Sequence, residues 1–310
     1  MSNQWLMNQK QNHNCHCLNK MDGIIILDKE SGMFSRTAGS RIAKMFGEKK
    51  FGHIGTLDPM ATGVLPIAIG NATKMIPFIE DVNENKKEYL FGLKFGIETD
   101  SLDITGQIIR TNDIVPNDDE IKIACEKILK MKEQIPPKFS AVHVNGRRAY
   151  ELARGGADIE LKPRPITIFD IEYAGKSRDN EYNFRVVCSR GTYVRSVVRD
   201  IANLTGAIAT TTYIRRTLTN GFDIKNAHTL DFLENMFNNG GDIEQYLMSS
   251  DCTLGDIPVI NLDDKETMFY KNGGFIKTDA NDGLTRVYCG KDFVGMGTVY
   301  DGKLHPKRTI

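Results

Sequence analysis

The stretch Gly23-Ile24-Ile25-Ile26-Leu27-Asp28 is apolar almost throughout, which predicts a strand buried on both faces. A turn at Lys29-Glu30-Ser31-Gly32 follows, and Ser35 is placed to cap a helix whose Ala38, Ile42, Met45 and Phe46 recur on one face. A second apolar run, Val64-Leu65-Pro66-Ile67-Ala68-Ile69, and the β-forming Tyr89-Leu90-Phe91-Gly92-Leu93-Lys94-Phe95 read as further strands. Asp100 to Gly106 reads as a turn or loop. Asn117 and Glu120 have capping-box spacing before a helix that buries Ile121, Cys125, Ile128 and Leu129, and Pro136-Pro137 ends that unit. Alternation marks strands at Ile166–Ile171 and Tyr182–Cys188. The segment Thr192 to Leu204 is helical, with Val194, Val197, Val198 and Ile201 on one side and Arg195 and Arg199 on another. After about residue 250 the texture changes to short strands between glycines, with a basic end at Lys303–Arg308; this predicts a small β module beginning near Asp251 to Asp256.

Between the first helix and the second apolar run lies Gly52-His53-Ile54-Gly55-Thr56-Leu57-Asp58-Pro59-Met60-Ala61-Thr62-Gly63. One carboxylate stands here among glycines, threonines and a proline. Pro59 pushes Asp58 toward extended geometry, so the loop holds a single acid at the edge of a buried strand. Such an Asp is either the side chain of an Asx-turn or a reactive group, and local sequence leaves both open.

Composition narrows the class. The chain has 310 residues, 40% hydrophobic and 26% charged, with no run of about 18 apolar residues that would span a membrane. Forty basic and forty acidic residues cancel, so a nucleic-acid function requires local basic surfaces. Two stretches are candidates. In 138 to 164, Lys138, Arg147, Arg148, Arg154, Lys162 and Arg164 outnumber Glu151, Asp158 and Glu160, and Asn145-Gly146 and Gly155-Gly156 mark turns; this reads as an exposed, partly mobile insertion with a basic face. In 185 to 216, Arg185, Arg190, Arg195, Arg199, Arg215 and Arg216 face Asp200 alone, which predicts a second basic surface. The six cysteines lack paired CxxC spacing and read as reduced thiols of a cytoplasmic protein. His13, Cys15, His16 and Cys17 sit in an Asn/Gln-rich segment that reads as a disordered tail over residues 1–21, with neither a second ligand pair at zinc spacing nor the pattern of a signal peptide. No Walker loop or dinucleotide fingerprint is present.

The ordered segments DGIIILDKESG, GHIGTLDPMATGVLPIAIGNATK, KEYLFGLKFGIETDSLDITG, QIPPKFSAVHVNGRRAYELARGG, RPITIFDI, SRGTYVRSVVRDI and YIRRT closely resemble the bacterial tRNA pseudouridine synthase B family. They run over about residues 22 to 220. The resemblance implies an α+β pseudouridine synthase fold: a large mixed, mainly antiparallel sheet flanked by helices in a catalytic domain over 22–250, with an RNA-binding insertion at 138–164. A small C-terminal β-rich, PUA-like domain over 251–310 completes it. It also implies isomerisation of uridine 55 in the T-loop of tRNA, with a flipped-out base, no cofactor and no metal.

Asp58 matches the catalytic aspartate, Tyr89 the active-site tyrosine that packs on uracil, and Arg195 the ion-pair partner of the aspartate. Tyr193 and Ile214 match walls of the base pocket. His53 faces RNA on this reading, and Lys74, Arg147, Arg148 and Arg154 are phosphate contacts. Ile54, Glu30, Phe139, His143 and Ala202 depart from the family's usual residues. The expected partner is the T-arm of tRNA, bound by a monomer without an obligate protein partner. A non-catalytic tRNA-binding or tRNA-folding protein on the same scaffold is the alternative, and it predicts RNA affinity indifferent to Asp58. A small-molecule isomerase would need neither the basic insertion nor the C-terminal module.

Overall fold

The structure is a computed structural model that describes residues 21–81, 86–144, 146–155, 157, 159–177 and 180–310. The tail with His13, Cys15, His16 and Cys17, and the side chain of Arg154, lie outside the described residues.

The elements follow in chain order. β1 (Gly23–Lys29), α1 (Ser35–Met45), β2 (Phe51–His53), β3 (Thr62–Ile69), α2 (Ile76–Asp81) and β4 (Lys87–Phe95) come first. Then come the hairpin β5 (Ile97–Thr99) and β6 (Ile108–Thr111), α3 (Asp118–Leu129), β7 (Glu133–Gln134), the hairpin β8 (His143–Val144) and β9 (Arg147–Arg148), α4 (Ala149–Arg154) and β10 (Arg164–Pro165). β11 (Ile168–Lys176), β12 (Tyr182–Cys188), α5 (Val194–Leu204), β13 (Ala209–Thr219), β14 (Phe222–Asp223), β15 (His228–Thr229) and α6 (Leu230–Asn238) complete the larger part. β16 (Val259–Leu262), α7 (Asp264–Lys271), β17 (Ile276–Lys277), β18 (Gly283–Cys289), β19 (Asp292–Tyr300) and β20 (Lys303–Thr309) form the C-terminal part.

The main sheet has the order β11-β12-β4-β13-β3-β1-β15, with β14 beside β13 and β2 beside β3. Its pairings are antiparallel except β13 with β3 and β1 with β15, so the sheet is mixed and mainly antiparallel. One face packs Ile25, Leu27, Leu65, Ile67, Phe91, Leu93 and Phe184 under α1, α3, α5 and α6. The other face packs Ile24, Ile26, Val64 and Ala68 with Leu254 and Met296 of the C-terminal part. Strands β1 and β3 are therefore covered on both sides, which is why they read as unbroken apolar runs. The second sheet, β16-β18-β19-β20-β17, has its own core of Leu262, Tyr270, Val287, Val294, Val299 and Leu304. The strand at Lys303–Thr309, expected only as a basic end, pairs with β19 and β17.

The capping box at Asn117 and Glu120 is formed. Ser35 is not a cap: Phe34 occupies that position without a side-chain bond. The Ser35 hydroxyl instead donates to Leu57 O at 2.9 Å and accepts from Leu57 N at 3.0 Å. A hydroxyl at the start of α1 is thus used to hold a distant loop, a partner that local spacing could not reveal.

Candidate active site

The loop between β2 and β3, which carries Asp58, is held from several sides. Lys29, at the end of β1, donates from Nζ to Glu30 O, Met33 O and Pro59 O, and Gly32 N donates to the same Pro59 carbonyl. Ser35 holds Leu57, and Ala61 N closes the turn on Asp58 O at 3.0 Å. The acid is therefore fixed on both flanks by the turn that follows β1. Lys29 is itself buried; that burial lowers its pKa to about 8, against the pull of the Asp58 charge, which raises it.

The glycines of the loop serve packing. A Cβ on Gly63, at φ +100°, would stand 2.2 Å from Arg216 O, so only glycine lets β3 lie this close to β13. A Cβ on Gly55 would stand 3.0 Å from Arg216 Nη1 and 3.1 Å from Lys87 Nζ.

Asp58 is half-exposed, its side chain 38% accessible, and its Oδ2 lies 2.7 Å from Nη2 of Arg195, whose side chain is only 4% accessible. Arg195 sits on the inner face of α5 among Val194, Val197 and Val198. Its Nη1 donates to Ser101 O at 2.8 Å and lies 3.5 Å from Asp103 Oδ2, while Nη2 also donates to Phe139 O at 3.0 Å. Asp103 is in turn buried and held by Ser101 and Thr105. One guanidinium thus joins the Asp58 loop, the turn at 101–105 and the start of the 138–164 insertion.

Tyr89 (7% accessible) stands in β4 directly opposite Arg216 of β13. Burial pushes its hydroxyl up to about 12, opposed by the adjoining Arg216 guanidinium; the Asp58 charge is near enough to act on it as well. Ile214, two residues before Arg216, lies opposite Phe91 and shares one apolar cluster with Leu57, Ala61, Tyr89 and Val194. Tyr193 precedes α5 and packs against Val142, Ala149, Ile159 and Leu161, the small core of the insertion; burial raises its pKa. His53, at the end of β2, is half-buried with Nδ1 lacking a hydrogen-bond partner, and burial followed by Arg216 lowers its pKa, which keeps the imidazole neutral at pH 7.

Asp58, Arg195, Tyr89, Ile214, Tyr193 and His53 therefore converge on one region. Lys74 does not join them: its Nζ donates to Thr309 O, in a cleft of about 300 Å³ that it lines with Lys271, Lys307 and Arg308. Arg147 and Arg148 are exposed on β9.

The second basic surface expected over 185–216 does not exist as a free face. Arg185 pairs with Glu88 and Asp170, Arg190 with Glu80, Arg195 with Asp58 and Asp103, Arg199 with Asp200, and Arg215 with Asp28, while Arg216 is wholly buried. Most of the balancing acids come from distant segments, so counting charge within the window overstated it. Lys29, Asp103 and Arg216 are site residues that the sequence reading did not single out. Lys29 closes a buried apolar run, and Arg216 follows Ile214 at the two-residue period of a strand, so a charge on an inward position was the available signal.

Among the described residues no group of three His, Cys, Asp or Glu side chains is placed to hold a metal ion, and no helix is long and apolar enough to cross a membrane. By fold, the chain is similar to a solved H/ACA RNP bound to a substrate RNA containing 2'-deoxyuridine: 20% identity, TM-score 0.66, 94% of this chain and 85% of that one. An archaeal box H/ACA sRNP complex is similar at 20% identity and TM-score 0.65, over 94% and 87%. In sequence, residues 43–194 match the family described as TruB family pseudouridylate synthase (N terminal domain), and residues 258–310 match Pseudouridine synthase II TruB, C-terminal. The tRNA pseudouridine synthase B of Caulobacter vibrioides is 35% identical over 94% of this chain and 96% of its own length. That of Ehrlichia chaffeensis is 38% identical over 90% and 93%. The buried Arg195 beside Asp58 and the agreement along nearly the whole chain lead to one assignment: this chain belongs to the TruB family of pseudouridylate synthases.

Proposed function

We propose that the protein isomerises uridine 55 in the T-loop of tRNA to pseudouridine, with Asp58 as the reacting carboxylate. The reaction breaks the N1–C1′ bond, turns the uracil and joins C5 to C1′. The C5 proton leaves and N1 gains one, so nothing is oxidised and no group is transferred. What the site must supply is an anion at the reacting centre, a route for the C5 proton and a pocket that retains the detached base.

The observation that carries this reading is the 2.7 Å pair between half-exposed Asp58 and buried Arg195. The acid is open to a ligand while its partner is fixed by the Ser101 and Phe139 carbonyls and by Asp103, so the carboxylate is oriented before substrate arrives. It can add to C6 of the base, attack C1′, or assist formation of a glycal. Tyr89 and Ile214 form the floor of the uracil pocket and Tyr193 its wall, with Tyr89 at the side from which the C5 proton departs. Neutral His53 stacks on a displaced base. Flipping the target costs a few kcal/mol in a duplex and less in a loop, which suits a T-loop substrate.

Arg147, Arg148 and Arg154 of the insertion and Lys74 hold phosphates. The chain divides into a catalytic domain over 22–250 and an RNA-binding, PUA-like domain over 251–310, and it acts as a monomer on the T-arm. The test is pseudouridine mapping of an unmodified tRNA transcript incubated with the protein alone. Wild type should modify position 55 and Asp58→Asn should not, while binding the transcript with unchanged affinity. Modification by Asp58→Asn would overturn the role of Asp58, and binding without modification by wild type would favour a tRNA-folding protein.

A further inference from the structure

Arg216 has a fully buried side chain, and among the described residues no carboxylate lies within ion-pair distance of it. An uncompensated buried cation is costly, so its surroundings should show what the charge serves. Nε donates to Val64 O at 2.8 Å and Nη2 to Gly55 O at 3.0 Å, which are carbonyls on either side of the Asp58 loop. Nη1 is buried without a well-formed partner, and the guanidinium borders the Tyr89 hydroxyl directly across the β13–β4 pairing. Lys87 Nζ, like Arg216 Nη1, borders the place a Cβ of Gly55 would take, and His53 lies nearby; the pKa of each is lowered by burial and then by the Arg216 charge. The other titratable groups bearing on Tyr89 are Asp58 and the buried Cys188, and Glu80 bears on Lys87 and His53.

We propose that Arg216 is a positioning residue for the isomerisation. Its guanidinium fixes Tyr89 against the loop that carries Asp58 and supplies the positive charge against which the Tyr89 oxygen becomes anionic. This rests on the reading above that Tyr89 stands where the C5 proton departs. The buried Tyr89 hydroxyl, pushed up to about 12, is phenol for most of the time. In its minor phenolate form, favoured by Arg216, the oxygen takes the proton released from C5 and becomes phenol; its return to phenolate releases a proton to solvent, and N1 gains one, so protons balance over the cycle. In an apolar site without Arg216 the anionic form would be strongly disfavoured. The two bonds to the flanks of the Asp58 loop make the same residue set the spacing between acid and phenol.

The test places 3,5-difluorotyrosine at position 89, where its more acidic phenol titrates within the stable range, and follows its near-ultraviolet absorbance in otherwise wild-type protein and in the Arg216→Met and Arg216→Lys variants. Arg216→Met should raise the titration midpoint by about one pH unit or more. In the Tyr89 protein it should slow single-turnover pseudouridine formation on the order of 100-fold, with tRNA Kd changed less than about 3-fold. Difluorotyrosine should restore part of that lost rate, which repair of a merely structural defect would not do. Arg216→Lys keeps the charge but cannot span both loop carbonyls, so it should hold the midpoint near the wild-type value and still turn over slowly. A folded Arg216→Met protein with an unmoved midpoint overturns the electrostatic part. If that variant does not fold, an Arg216→Lys protein with wild-type rate overturns the positioning part. The midpoint is read without turnover, so its failure is separable from failure of the Asp58 assignment.

Discussion

Arg195 and Lys29 show how buried cations organise this site. Arg195→Ala removes the partner of Asp58 and leaves Asp103 and the Ser101 and Phe139 carbonyls uncompensated. Asp103, unlike half-exposed Asp58, is buried with Arg195, and breaking such a buried pair costs about 3–5 kcal/mol, to be read by denaturant unfolding. Turnover should fall on the order of 100-fold or more, with affinity for the transcript nearly unchanged; a loss confined to affinity would recast Arg195 as a phosphate contact. Lys29 carries a pH signature. Its folded pKa of about 8 lies below the ordinary lysine value of 10.5, so between those pH values the unfolded chain binds more protons than the folded one. Stability referred to this group therefore rises with pH across that window. The stability of wild type minus that of Lys29→Met, followed by denaturant titration from pH 7 to 10.5, should increase with pH; a flat difference would contradict the lowering of the Lys29 pKa by burial. The variant should also lose about 1–3 kcal/mol at pH 7 for each backbone carbonyl left unbonded and dry.

At the scale of elements, the Asp58 loop is rigid because β1, α1 and β13 each grip it. Ser35→Ala removes both bonds to Leu57, at a cost of about 1–3 kcal/mol, and should lower turnover more than tRNA affinity because it loosens the residue next to Asp58. Gly63→Ala is harsher, since the new Cβ would meet Arg216 O and force β3 off β13; its melting temperature should fall by more than that of Ser35→Ala. Most elements were legible beforehand: the two-sided strands from unbroken apolar runs, α3 from its capping box, and the inner face of α5 from Val194, Val197, Val198 and Ile201. Asp58 was legible as a fixed acid only to the point of two alternatives, and the resemblance separated them. What could not be read locally were contacts made across the fold. Ser35 looked like a cap because its partner Leu57 lies 22 residues away. The arginines of 185–216 looked like a surface because Glu80, Glu88, Asp28 and Asp170 meet them only in the folded chain. Gly63, close to Asp58 in sequence, is glycine because the backbone of β13 fills the place of a Cβ, a neighbour that local sequence does not show.

For the whole molecule, zero net formal charge means that affinity for RNA must come from particular surfaces. With the 185–216 arginines buried or paired, Arg147 and Arg148 of the insertion are two sequence-predicted phosphate contacts that stand exposed on the surface. Arg195 ties the root of that insertion to Asp58 through Phe139 O; under the proposed function this contact registers RNA held at the insertion to the acid. Replacing Arg147 and Arg148 with Gln should weaken tRNA binding and reduce the slope of log affinity against log salt by about 1 for each phosphate no longer neutralised, with the single-turnover rate at saturation little changed. An unchanged slope would remove these residues from the RNA interface. The reacting role of Asp58 is tested most directly by mapping pseudouridine in an unmodified tRNA transcript after incubation with wild type or Asp58→Asn, with no added cofactor or metal. Pseudouridine at position 55 with wild type, and none with an Asp58→Asn protein that still binds the transcript, is the predicted result; modification at position 55 by Asp58→Asn would contradict it.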